Sequence, residues 1–163
     1  MGVADSMGSG RREILRAMLA GGLVGLFIAN RSTFSAEIGG CQAECGSAGG
    51  MAAASIAALL GGSPDQCMAA ASMALQNSLG MICDPIAARV EAPCLGKNVS
   101  AATNALASAN MAMAGYDHLI PLDEVIETMD RVGRSIPREL RCTALGGLSV
   151  TPSAKELEKR INP

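Results

Sequence analysis

Hydrophobic and polar positions along this chain group into helical stretches separated by glycine, proline and polar junctions. No alternating run is long enough for a half-buried strand. From Arg11 to about Ala29 the pattern is helical and, after Ala17, apolar on nearly every side, which predicts a central rather than a peripheral helix. An alanine-rich second helix is predicted from about Glu44 to Leu60, ended by Gly61-Gly62. The third has the clearest start: Ser63-Pro64-Asp65-Gln66 supplies an N-cap serine, a proline at the first helical position and a glutamine three residues after the cap. It should run to Leu79 and stop at Gly80. Residues 80–97 hold two prolines, two glycines and two cysteines and read as a loop or broken segment. A fourth helix is predicted from about Asn98 to Ala114. A fifth starts near Leu122, with Asp123 and Glu124 in its first turn, where negative charge suits the helix dipole, and ends near Gly133. Thr151-Pro152 or Ser153 opens a short amphipathic last helix, Lys155 to Ile161. The Gly/Ser-rich residues 1–10 are expected to be disordered. The expected fold is all-α, a single helical domain over residues 11–163.

Composition narrows the function classes. With 163 residues and 49% hydrophobic content the chain can bury one core. There is no Trp, one Tyr and two Phe, so base or sugar stacking is not its mode of recognition. Ala, Gly and ten Met point instead to closely approaching helices with methionine filling the gaps. A net charge of −2, from 13 basic and 15 acidic residues, leaves no electrostatic footprint for nucleic acid. Arg11-Arg12 before the apolar stretch Ala17–Ala29, and Ser35-Ala36 after it, imitate a signal peptide. Glu13 and Arg16 at its start and Arg31 at its end argue against one, and the stretch is too short to span a bilayer. No membrane association is expected, and a cytoplasmic location is.

Six cysteines without a secretory segment suggest reduced thiols used for metal or packing. Three fall at predicted junctions: Gly40-Cys41-Gln42, Ile82-Cys83-Asp84-Pro85 and Ala92-Pro93-Cys94. Three thiolates are one short of closing an iron–sulfur cluster, and such a cluster keeps one iron open for chemistry. The intervening 41 and 10 residues are not the paired C-x₂-C knuckles of a zinc ribbon. Buried free cysteine is also a common packing residue, so spacing alone leaves both readings open. Cys67, within the third helix, reads as packing, and Cys45, four residues after Cys41, as a small buried residue or spare ligand. Cys142 is the remaining candidate for a fourth ligand or redox role. The single histidine, His118, reads as a solvated loop residue.

Longer motifs around these cysteines carry a resemblance. Ala36-Glu37-Ile38-Gly39-Gly40-Cys41-Gln42-Ala43-Glu44, Ile82-Cys83-Asp84-Pro85 and Val90-Glu91-Ala92-Pro93-Cys94-Leu95-Gly96-Lys97-Asn98 stand in order, followed by Pro121–Glu127 and Leu140–Leu148. Over about residues 11–160 the chain resembles the α chain of iron–sulfur-dependent L-serine dehydratase. The resemblance implies a helical catalytic domain in which Cys41, Cys83 and Cys94 hold a [4Fe–4S] cluster. It also implies conversion of L-serine to pyruvate and ammonia without pyridoxal phosphate. Two departures are visible. The family's N-terminal segment with a Pro-Thr-Ala-Gly-type motif has no counterpart here, so a β chain or that missing segment is the expected partner. Ala88-Arg89 stands where the family tends to have glycine and an apolar residue. The rival expectations are a related lyase such as an L-cysteine desulfidase, and a non-catalytic cluster-binding subunit.

Overall fold

A computed structural model describes residues 1–162. Its α-helices are α1 (Gly2–Ser6), α2 (Arg11–Arg31), α3 (Ala36–Gly39), α4 (Ser47–Leu59), α5 (Pro64–Gln76), α6 (Cys94–Met113), α7 (Leu122–Ser135) and α8 (Pro152–Ile161). Among the described residues there is no strand, only an isolated bridge between Cys83 and Arg141. The fold is all-α.

Small side chains set the packing. Ala53, Ala54 and Ala57 of α4 and Ala70, Ala71 and Ala74 of α5 are fully buried, which lets the two backbones approach closely. Gly50 of α4 sits against the Leu75 side chain and the Ala71 carbonyl, where a Cβ would come within 3.0 Å of Leu75 Cγ. Ile28, Leu75, Ile126 and Met129, brought in from α2, α5 and α7, fill the space between. On α7 the buried positions Leu122, Val125, Ile126, Met129 and Gly133 follow the helical period and form one apolar stripe.

Local chemistry explains the starts of α5 and α8. Ser63 caps α5 as expected: Gln66 N–H donates to Ser63 Oγ at 3.2 Å, and Ser63 N–H donates to Gln66 Oε1 at 2.9 Å. The helix ends at Gln76, three residues before the predicted stop. Thr151 caps α8 through Ala154 N–H at 3.3 Å, so that helix begins at Pro152 rather than Lys155. Pro93 precedes α6, which starts at Cys94 instead of Asn98.

Two expectations at the N-terminal end are corrected. Residues 1–10 are not structureless, because Gly2–Ser6 form α1, with Ala4 buried and Val3 packed on the core. Helix α2 is peripheral. Its inner face, Ala17, Gly21, Val24, Gly25 and Ile28, lies against α4, and Gly21 lets α2 approach the Ser55 side chain and Met51 carbonyl. Its outer face leaves Leu15, Met18, Leu19, Leu23 and Leu26 between 49% and 73% exposed. Apolar residues on every side thus did not place the helix at the centre, since this chain covers one face only. The helix also extends to 21 residues, beyond the apolar stretch 17–29, and by length and composition alone that is enough to cross a membrane.

Candidate metal centre

Each of the three cysteines is placed by a different device. Cys41 follows Gly40, whose φ of +74° closes α3; a Cβ there would lie 2.8 Å from the Met81 carbonyl. The next residue, Gln42, donates its N–H to that carbonyl at 3.0 Å, drawing Cys41 to the strand-like segment before Cys83. From Gln42 to Gly46 the chain makes a π-helical turn before joining α4. Gln42 itself is fully buried, with Nε2 donating to the Met129 carbonyl and Oε1 accepting from Gly80 N–H, both at 2.9 Å.

Cys83 is held by the far end of the chain. Its N–H donates to the Leu140 carbonyl and its carbonyl accepts from Cys142 N–H, both at 2.8 Å. Asp84 continues the clamp: Oδ2 accepts from Leu148 N–H at 2.8 Å and Oδ1 pairs with Lys97 Nζ at 2.5 Å. Gly147, at φ +60°, passes so close that a Cβ would lie 2.7 Å from Asp84 Cβ. Ser149 Oγ donates to the Pro85 carbonyl at 2.9 Å. Cys94 is presented by the first turn of α6, with Asn98 Nδ2 donating to its carbonyl at 3.0 Å.

The structure brings the predicted trio together. The Sγ atoms of Cys41, Cys83 and Cys94 all lie within 4.8 Å of one another, and all three residues are buried. Cys41 and Cys83 share an apolar pocket with Ala36, Cys45 and Ala101, against which Met81 and Cys142 pack. Three soft sulfur donors converging in a dry site suit an iron–sulfur cluster or another thiophilic metal, and do not suit a hard cation such as Mg²⁺.

Burial dominates the electrostatics. It pushes the Cys41 thiol up to about 12, against the opposing effects of the Cys83 thiol and the Lys97 charge. Burial also raises Cys83, reinforced by sulfur contacts with Cys41 and Cys142, and raises Cys45, reinforced by the charge of Glu44. Without metal the Cys41 and Cys83 thiols are therefore protonated at neutral pH, and a bound cation would supply the charge that ionises them. Burial works to lower Lys97, but the hydrogen bond and charge of Asp84, with the two neighbouring thiols when ionised, outweigh it and the net shift is upward, so Lys97 stays an ammonium.

The other cysteines separate. Cys45 is buried beside Cys41 but outside the trio, and Cys67 packs in the main core from α5. Cys142 is partly exposed and sits against Cys83, its backbone held at φ +63°. His118 lies in the α6–α7 connector, where its carbonyl accepts from Gln76 Nε2 at 2.9 Å. Ala88 is at φ +55°, a conformation that favours glycine, and Arg89 is exposed. Sequence reasoning did not single out Gln42, Asp84 or Ser149. The available signal was a polar residue directly following a cysteine, Gln42 after Cys41 and Asp84 after Cys83.

Comparison with known proteins gives the chain a lineage. Residues 1–149 match the family described as serine dehydratase alpha chain. The probable L-serine dehydratase alpha chain of Bacillus subtilis is 45% identical over 159 residues, covering 98% of this chain and 53% of that protein. That of Latilactobacillus sakei is 44% identical over 147 residues, covering 90% and 70%. The L-serine dehydratase alpha chain of Peptoniphilus asaccharolyticus is 45% identical over 136 residues, covering 83% and 47%. The chain thus spans about half to two thirds of the length of these relatives. Extent and identity together make this chain a member of the serine dehydratase alpha chain family.

Proposed function

We propose that this chain is the cluster-holding part of an iron–sulfur L-serine dehydratase, converting L-serine to pyruvate and ammonia. The observation that carries this reading is the convergence of three buried thiols within 4.8 Å, in a chain of this family. Cys41, Cys83 and Cys94 would hold a [4Fe–4S] cluster. When bound, a cluster with three thiolate ligands supplies an iron that acts as a Lewis acid toward the β-hydroxyl of serine.

This chain's own residues do the holding and shaping. Gln42 fixes the Cys41 turn against α7 and the Gly80 turn. Asp84, Ser149 and the backbone of residues 140–142 fasten the Cys83 loop. Ala36, Ala101 and Cys45 line the pocket with small apolar groups that exclude water from the thiols. Loss of the Cα proton and of the hydroxyl as water gives aminoacrylate, which tautomerises and hydrolyses to the products. Groups that bind serine and remove that proton belong, in this reading, to the portion of the relatives that this chain does not span, or to a β chain. All six cysteines are free thiols, which suits a reducing cytoplasm and a role in amino-acid catabolism.

The test is an anaerobic assay of reconstituted protein, alone and with the remaining α-chain portion and β chain of a relative supplied. Pyruvate and ammonia from L-serine are expected with the complement present. Sulfide released from L-cysteine in preference would favour a desulfidase. No product from either substrate would favour a non-catalytic cluster-binding subunit.

A further inference from the structure

Lys97 is a long cationic side chain turned inward beside the Cys83 loop, with the Cys41 and Cys83 thiols close enough to feel its charge. Its side chain is 18% exposed, and that of its partner Asp84 only 3%. Nζ donates to Asp84 Oδ1 at 2.5 Å and to the Ile82 carbonyl at 2.7 Å, spanning both sides of Cys83. An ammonium has three N–H donors, so one is left over. Taking such a pair out of water is costly before any attraction is counted, so a clamp on the loop alone is a poor use of a charge. The surroundings supply a better one. Three thiolates and the Asp84 carboxylate would place a concentration of negative charge here. The potential of a thiolate-bound cluster follows its net charge, the hydrogen bonds to its sulfurs and its exposure.

We propose that Lys97, aimed by Asp84 and the Ile82 carbonyl, is the counter-ion of the metal centre and raises its reduction potential. It is a positioning and electrostatic residue, and the inference rests on the cluster reading above. Removing the Lys97 charge leaves the Asp84 carboxylate unpaired beside a centre that would already carry net negative charge, and an added electron becomes harder to accept. Removing the Asp84 charge does the opposite.

The experiment compares wild type, Lys97→Met, Lys97→Arg and Asp84→Asn after anaerobic reconstitution with iron and sulfide. Iron content and the one-electron midpoint, followed by visible bleaching and electron paramagnetic resonance, are the readouts. Lys97→Arg should stay near wild type. Lys97→Met should be more negative: where wild type is half reduced, its reduced-to-oxidised ratio should fall about tenfold, equivalent to 59 mV. Asp84→Asn should shift to more positive potential, and it carries the test if Lys97→Met fails to fold or load. Wild-type midpoints in the charge-removing variants that load would overturn the counter-ion role and leave the cluster reading standing. Failure of the wild type to take up iron and sulfide would overturn both.

Discussion

Gln42 spans 87 residues of chain to donate its Nε2 to the Met129 carbonyl at 2.9 Å, tying the turn that carries Cys41 to helix α7. Its Oε1 accepts from Gly80 N–H at the same distance, so one side chain fixes the Cys41 turn relative to the segment leading to Cys83. The Met129 contact is buried, the Gly80 contact partly so, and water cannot replace the first without opening the site.

Gln42→Leu should therefore cost about 0.5–1.5 kcal/mol, the net worth of the buried hydrogen bond to the Met129 carbonyl. Urea unfolding of the metal-free protein measures this. A midpoint equal to wild type would mean that the Cys41 turn is held by other contacts.

Gly40→Ala should destabilise by about 1–3 kcal/mol, because a left-handed backbone is costly for a residue with a Cβ. The added carbon would also lie 2.8 Å from the Met81 carbonyl and 3.0 Å from Ile136 Cδ1. The same unfolding measurement applies, and iron uptake should fall with it, since Cys41 is the next residue.

The metal-free protein should lose stability as pH rises above the ordinary thiol value of 9.0, through the range up to about 12 to which Cys41 is pushed. In that window the unfolded chain has released thiol protons that the folded chain retains, so unfolding is favoured as pH rises. Denaturation midpoints between pH 8 and 11 test this against Cys41→Ser, whose dependence should be shallower. An identical slope in the variant would remove Cys41 as a source.

Much of the fold was legible because its cues are local. The Ser63–Gln66 cap, the acidic first turn of α7 and the Thr151 cap all depend on a few consecutive residues. The three cysteines were legible as chemistry at junctions, and family motifs supplied the pairing of distant positions. What was not legible depends on long-range contact. The π-helical turn at Gln42–Gly46 and the Cys83–Arg141 bridge arise from tertiary fit, with no local signature. An all-round apolar pattern on α2 likewise does not say which face finds a partner within the chain.

That asymmetry of α2 is measurable. Ile28, fully buried, should cost about 2–5 kcal/mol when changed to alanine, the usual range for a core isoleucine. Leu19, 73% exposed, should change stability by less than about 0.5 kcal/mol when replaced by glutamine. A large loss at Leu19 would place its side chain in contact with something this chain itself supplies.

The central claim, that Cys41, Cys83 and Cys94 together hold an iron–sulfur cluster, is tested most directly by anaerobic reconstitution with iron and sulfide. The account predicts bound iron and acid-labile sulfide in equal amounts, with broad visible absorption. It predicts their loss in each of Cys41→Ala, Cys83→Ala and Cys94→Ala, and their survival in Cys67→Ala. Full iron and sulfide in any one of the three variants, or none in wild type, would contradict it.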